Sequence, residues 1–200
     1  SLMGAPPLGP TIIPPVRTLW LRDRALDLDR VRLLGVLNLT PDSFSDGGRY
    51  LDPERALERA REMVAEGADI LDLGAESTRP GAAPVPVEEE KRRLLPVLEA
   101  VLSLGVPVSV DTRKPEVAEE ALKLGAHLLN DVTGLRDERM VALAARHGVA
   151  AVVMHMPVPD PATMRAHARY RDVVAEVKAF LEAQAKRALS AGVPQVVLDP

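Results

Sequence analysis

From residue 33 onward, short apolar segments that end in a polar residue alternate with stretches of helical period. The segments are Leu33 to Leu37, Ile70 to Leu73, Val106 to Val110, His127 to Leu129, Val149 to Val153 and Val196 to Leu198. Apolar runs this short, separated by helices, predict parallel strands joined by crossovers. The first helix is punctuated at both ends: Asp52 is its N-cap, Pro53 its first residue, and Gly67 lies just past its end. Ala56, Ala60, Met63 and Val64 form its apolar stripe. The same grammar predicts a helix over Pro115 to Leu124 with Gly125 as the stop, and a longer one from about Tyr170 to Ser190 before Gly192. Pro96 falls inside the Val87 to Leu102 pattern and is expected to kink or divide that helix.

Doubly wound sheets and (β/α)8 barrels share this alternation. The polar positions separate them. Asn38, Asp72, Asp111, Asn130 and Asp199 each fall at or beside the C-terminal end of a predicted strand, and His155 follows the fifth. A barrel builds its site from several strand ends at once, whereas an open sheet gathers its ligand at one crevice. The expected fold is therefore α/β, a TIM (β/α)8 barrel of which the chain covers about the first six βα units. Residues 31–200 form the barrel, and residues 1–30, rich in proline and arginine, form an N-terminal extension or short hairpin across its base. A complete barrel takes ~250 residues, so the chain is expected to be the front part of a longer protein, with two unpaired sheet edges.

Composition removes several classes of function. With 46% hydrophobic and 27% charged residues over 200 positions, the chain can bury a substantial core. A net charge of −4 with both signs interspersed offers no footprint for nucleic acid or an anionic membrane, so a small-molecule partner is expected. No apolar run approaches the ~20 residues needed to span a bilayer, and residues 1–10 lack the pattern of a secretory leader. A cytoplasmic setting follows as the expectation. There is no cysteine, and His127, His147, His155 and His167 lack metal-ligand spacing, so any metal must be held by oxygen.

The first strand runs into Asn38-Leu39-Thr40-Pro41-Asp42-Ser43-Phe44-Ser45-Asp46-Gly47-Gly48, a polar loop suited to closing over a barrel mouth. The second runs into Asp72-Leu73-Gly74-Ala75-Glu76-Ser77-Thr78-Arg79-Pro80-Gly81. Both runs resemble the loop signatures of the dihydropteroate synthases, with Ala75 in place of a usual second glycine. Val110-Asp111-Thr112-Arg113-Lys114-Pro115, Leu129-Asn130-Asp131-Val132-Thr133-Gly134 and Met154-His155-Met156 are similar to that family too.

The resemblance implies displacement of pyrophosphate from a dihydropterin by the amine of p-aminobenzoate in folate biosynthesis. Asn38 would help hold Mg2+ with the pyrophosphate, as suits that metal's preference for oxygen and substrate phosphates. Asp72, Thr78, Asp111, Asn130, Met154 and Asp199 would bind the pterin pyrophosphate. Carboxylates and an amide at fixed positions can read a pterin edge by complementary hydrogen bonds. Phe44, Ser77, Thr78 and Arg79 would form the arylamine site, and Asp111, Asp46 and Arg79 the catalytic set, with sulfonamide-type analogues competing. The family's usual homodimer is inherited with the resemblance. Two rivals stand beside this reading: a pterin-dependent methyltransferase, which lacks the two loop signatures, and a pterin-binding homologue without turnover. His155 reads as a satisfied core residue, Asp131 and Asp137 as helix N-caps, and Glu88-Glu89-Glu90 as acidic residues favoured at a helix N-terminus.

Overall fold

Six strands in parallel register carry the architecture: β4 (Leu34–Asn38), β5 (Ile70–Gly74), β6 (Val108–Asp111), β7 (Leu128–Asp131), β8 (Ala150–Met154) and β9 (Gln195–Asp199). The computed structural model describes residues 2–4, 18–40, 52–77, 81–154 and 170–199. Helices α1 (Pro53–Ala65), α2 (Val87–Leu102), α3 (Pro115–Leu124), α4 (Glu138–His147) and α5 (Tyr170–Ser190) lie between successive strands. The strands sit side by side in chain order, without the reversal that marks a doubly wound sheet.

The two faces of the sheet are divided between different partners. Leu71, Leu73, Val108, Val110, Leu129, Ala151 and Val196 pack with residues of all five helices in one continuous core. Ile70, Leu128 and Ala150 face the other way and pack with Leu19 and Leu21. Those two leucines belong to a hairpin, β2 (Thr18–Leu21) and β3 (Arg24–Asp27). Helices on one side and a separate filling on the other is the singly wound arrangement of a (β/α)8 barrel. The hairpin plugs the base of the interior. Its two-residue turn puts Arg22 at φ 59, a left-handed backbone that costs a non-glycine residue about 1 kcal/mol. The Arg22 guanidinium donates to the carbonyls of Ala126 and Leu122 just beyond and within α3, which ties the turn down. Gln195 completes the attachment, accepting from Trp20 N–H and donating to the Thr18 carbonyl.

Local punctuation explains the helix ends. The Asp52 side chain accepts from Glu54 N–H at the start of α1, and Asp137 does the same for Arg139 at the start of α4. The chain turns out of α3 at Gly125 and out of α4 at Gly148, both with positive φ. Helix α4, for which no range is predicted above, is marked in the sequence by Asp137, the buried Met140, Val141, Leu143 and Ala144, and Gly148.

Two expectations are corrected. Of the kink or division expected at Pro96, the division does not occur: α2 runs unbroken from Val87 to Leu102. Pro96 is exposed, so the carbonyl it leaves unbonded one turn earlier has water available, while Leu94, Val97, Leu98 and Val101 anchor both halves. The β9 edge is not open either: β1 (Leu2–Gly4) pairs with it antiparallel, Met3 opposite Val196. The β4 edge does leave Leu34 and Val36 about half exposed.

One glycine sets how closely the strand ends approach. At Gly134, φ is 75, and a Cβ there would stand 2.6 Å from the Met154 carbonyl oxygen and 2.8 Å from the Phe180 ring. Gly134→Ala should therefore destabilise the fold by roughly 2–5 kcal/mol through left-handed strain and overpacking. Thermal unfolding would check this, and a melting temperature within a degree of the parent would contradict it.

Candidate functional site

Neighbouring residues in a parallel sheet point to the same face, so the register itself assembles a polar layer. Asn38 pairs with Gly74, Gly74 with Asp111, and Asp111 with Asn130, forming one row across four strands. Asp72 and Ser109 pair with each other one pleat below it. Ile70, Leu128 and Ala150 continue the same face toward the base. The interior is thus apolar at the hairpin end and polar at the C-terminal strand ends. Gly74 brings no side chain to the row, and the Asp111 carboxylate lies over it.

Several of these polar groups are buried without a partner. Asp72 is 4% exposed and Asn130 6%, and Asp72 Oδ1, Ser109 Oγ and Asn130 Oδ1 make no hydrogen bond of good geometry with a described residue, although the Ser109 hydroxyl and the Asn130 amide stand close enough to Asp72 to bias its charge. Each such group costs roughly 1–3 kcal/mol unless a ligand or water satisfies it. Burial pushes the Asp72 carboxyl up to about 6, with the neighbouring Ser109 hydroxyl and Asn130 amide pulling the other way. Asp111 is pushed further, to about 8, first by burial and then by the charges of Asp72, Asp131, Glu90 and Glu76. Raised carboxyls beside unpartnered buried polar atoms are a combination that functional sites concentrate.

Asp131 lies on the opposite face of β7 and is fully buried. It does not cap a helix, contrary to the sequence expectation. Its Oδ1 accepts from the backbone N–H and the hydroxyl of Thr133, forming a turn closed at the end of the strand. Burial raises its carboxyl against the pull of those Thr133 bonds.

A charged cluster that sequence reading missed lies beside the row. Arg113 donates from Nε to Glu76 Oε1 at 2.7 Å, and Lys114 Nζ bridges Glu76 at 2.8 Å and Glu90 at 2.6 Å. The Thr112 hydroxyl donates to the other Glu90 oxygen at 2.5 Å. Glu90 is therefore no surface acid of a helix N-terminus: it is 1% exposed and ion-paired. The signal was its spacing, four residues before the buried Leu94 on the apolar stripe of α2. Burial alone would raise the Glu76 carboxyl, but Arg113, Lys114 and the Val85 N–H bring it down to about 2. A cavity of about 200 Å3 opens here, lined in part by Glu76, Ser77, Pro84, Arg113 and Thr133.

The residues singled out from sequence are distributed as follows. Asp72, Asp111 and Asn130 converge on the interior row, and Asn38 stands exposed at its β4 end. Met154, half-buried, pairs with the exposed Asp199 at the tips of β8 and β9, one pleat beyond Val152 and Val197, which continue the Asn130 row on the same face. Ser77, half-buried, lines the cavity. Phe44, Asp46, Thr78, Arg79 and His155 lie outside the described residues.

Comparison with known proteins gives these features relatives. Residues 34–200 match the family described as pterin binding enzyme. The chain is 46% identical over 190 residues to a dihydropteroate synthase of Neisseria meningitidis serogroup B, covering 92% of this chain and 66% of that protein. It is similar to the crystal structure of the Thermus thermophilus dihydropteroate synthase in complex with 4-aminobenzoate, with 91% identity and a TM-score of 0.77. That alignment covers 92% of this chain and 66% of the other. The Xanthomonas albilineans dihydropteroate synthase in complex with 7,8-dihydropteroate is 42% identical with a TM-score of 0.77, covering 92% and 65%. The chain thus spans just under two thirds of the length of these relatives.

The raised carboxyls make stability depend on pH in a stated direction. A carboxyl whose folded value exceeds its unfolded value of ~4 contributes stability that is complete below that value and lost as pH rises through the folded one. Between about pH 4 and about pH 8 the folded protein should lose stability through Asp111, with Asp72 contributing up to about pH 6. Asp111→Asn should flatten the upper part of that slope and raise stability at pH 8 by roughly 1 kcal/mol, as relief of a strained site does. Denaturant unfolding at a series of pH values reads this out; parallel curves for the two proteins would sink it.

Proposed function

The chain belongs to the pterin-binding enzyme family, and from that premise we propose that it works as a dihydropteroate synthase, whose similar relatives carry that name. The reaction joins 6-hydroxymethyl-7,8-dihydropterin pyrophosphate to p-aminobenzoate, releasing pyrophosphate and 7,8-dihydropteroate for folate biosynthesis. The observation that carries this reading is the interior layer of Asp72, Ser109, Asp111 and Asn130, with polar atoms left unpartnered in a buried face. A dihydropterin offers an amino group, ring N–H donors and ring-nitrogen acceptors along one edge, a set that carboxyls and an amide can satisfy together.

In this reading the arylamine nitrogen attacks the exocyclic methylene of the pterin as the bond to pyrophosphate breaks. No protein nucleophile takes part. The chain supplies position and charge: once ionised, the buried carboxyl of Asp72 and the half-buried one of Asp111 would stabilise positive charge developing on the pterin. Met154 would flank the ring and Asp199 extend its polar contacts. Ser77 stands at the cavity where the arylamine would enter, and the roles of Phe44, Asp46, Thr78 and Arg79 rest on the loop signatures.

Among the described residues no three acidic or histidine groups are clustered to hold a metal. Mg2+ nonetheless fits, because an ion completed by water and substrate phosphates needs only one or two protein oxygens, and the Asn38 amide is exposed at the row's end. Bound there, it would neutralise charge on the departing pyrophosphate. The same reading carries a homodimer, a cytoplasmic setting and competition by sulfonamide-type analogues of p-aminobenzoate. No described helix is long and apolar enough to cross a membrane.

Pyrophosphate release by the complete gene product, supplied with dihydropterin pyrophosphate and Mg2+, should depend on p-aminobenzoate and yield dihydropteroate. Tight pterin binding without release would instead favour a non-catalytic pterin-binding protein. Asp111→Asn should lower kcat/KM by well over tenfold, about 1.4 kcal/mol or more of transition-state stabilisation, in a protein that remains folded; unchanged kinetics would remove Asp111 from the site. For Asn38→Ala the expected result is a weaker dependence of rate on Mg2+, checked by metal titration, and an unaltered titration would contradict its role.

A further inference from the structure

The segment between β5 and α2 leaves the sheet at Ala75 and enters the helix at Pro86, and its two ends are joined by one side chain. Glu76 Oε2 accepts from the Val85 N–H at 3.0 Å, nine residues further along the chain. The same carboxylate receives Arg113 Nε at 2.7 Å and Lys114 Nζ at 2.8 Å, both from the turn between β6 and α3. Lys114 then reaches Glu90 on α2 at 2.6 Å, and Glu90 accepts from the Thr112 hydroxyl. Arg93, also on α2, donates to the Ala75 carbonyl at 3.2 Å. Two carboxylates and two cations therefore lock the base of one strand-end segment to a second strand end and to a helix, beside Asp111 in sequence.

Ion pairs that are only partly buried, as here, contribute little net stability, because desolvation and solvent screening offset the attraction. What they do supply is direction, since a bidentate guanidinium and a hydrogen-bonded carboxylate accept few geometries. Ser77 follows Glu76 directly, and Ser77, Pro84 and Arg113 line the cavity next to the interior row.

We propose that Glu76 is a positioning residue, whose carboxylate clamps both ends of the β5–α2 segment onto the β6–α3 turn and so fixes Ser77 and Arg113 at the entrance of the second substrate. The proposal rests on the synthase reading for the identity of that substrate, the arylamine. It does not assign Glu76 a contact with either reactant. The pterin layer inside the barrel is built from β5, β6 and β7 residues whose positions are set by strand register rather than by the clamp. Glu76 therefore affects the arylamine step and leaves pterin binding nearly intact. With Glu76 neutralised, Arg113 and Lys114, the latter still held by Glu90, would also add net positive charge near Asp111, whose carboxyl Glu76 and Glu90 help to raise.

The test compares the complete protein with Glu76→Gln and Glu76→Asp. In Glu76→Gln, KM for p-aminobenzoate is expected to rise about tenfold or more and kcat to fall, as a displacement of reacting groups by a fraction of an ångström produces. The dissociation constant for dihydropterin pyrophosphate should change less than about threefold, and the acid limb of the pH–rate profile should move to lower pH. Glu76→Asp, which keeps the charge, should recover part of the loss. Amide hydrogen exchange read without substrates should show faster exchange at Ala82, Ala83 and Val85 in Glu76→Gln, with the strands unchanged. Unchanged arylamine KM and unchanged exchange would overturn the proposal, and so would equal losses in pterin and arylamine binding. Should the parent protein bind pterin without turnover, the synthase reading fails by itself, and the exchange measurement still decides whether Glu76 clamps the segment.

Discussion

Parallel strands that pair without a slip present their residues in rows, and the row Asn38, Gly74, Asp111, Asn130 exists because four consecutive strands keep that register. A one-residue slip in any of them would turn its polar residue to the helix side, where an apolar core leaves it no partner. The constraint works in both directions. Leu73, Val110 and Leu129, alternating with the row, must meet the helices, and they do so fully buried. The helix packing that stabilises the sheet thus also holds the site in line, so the site can carry unfavourable groups without losing its geometry.

The two charged regions of the strand ends solve the problem of buried carboxylates in opposite ways. Glu76 and Glu90 are matched by Arg113 and Lys114, and the Glu76 carboxyl is held well down, near 2. Among the described residues no cation is ion-paired with Asp72 or Asp111, and these two rise instead to about 6 and about 8. Matching belongs to structure, whose geometry must stay fixed. Absence of matching belongs to a surface that a ligand completes, because a carboxyl already satisfied by the protein has little to gain from a substrate. The base of the interior shows the complementary economy: Leu19 and Leu21 close it with apolar surface and leave the polar end as the open one.

Much of this was legible in the sequence because strand ends and helix ends are written locally. Pro115 with Gly125 and Asp52 with Pro53 mark helix boundaries by backbone chemistry alone, and the polar residues that close apolar runs mark the site layer. What escaped depends on contacts distant in the chain. Glu90 was read as one of three acids at a helix start, since nothing within a turn of it reveals Lys114, 24 residues away. Arg113 and Lys114 resembled a motif without a role until Glu76 was placed 37 and 38 residues from them. Asp131 looked like a cap because its neighbours are turn formers, and only the strand's length shows that it ends a sheet. The division of α2 at Pro96 failed for a related reason: propensity acts residue by residue, whereas the four buried apolar residues around the proline act together.

That difference suggests how the site's two parts came to be separable. The interior layer is made of side chains within strands, whose direction is fixed by pleat and register, so each of its residues can be identified singly from its position. The charged cluster is made of side chains that leave the strands and meet in space, so none of its members has meaning without the others. Asp111 is the point of contact between them, ending β6 immediately before Thr112, Arg113 and Lys114. Its carboxyl feels both Asp72 within the layer and Glu76 and Glu90 within the cluster. Any change in how the cluster is held is therefore transmitted to Asp111 as charge, without requiring β6 to move. A rigid barrel interior can in this way be tuned from loops outside it, and the coupling is electrostatic because the backbone between the two parts is already fixed.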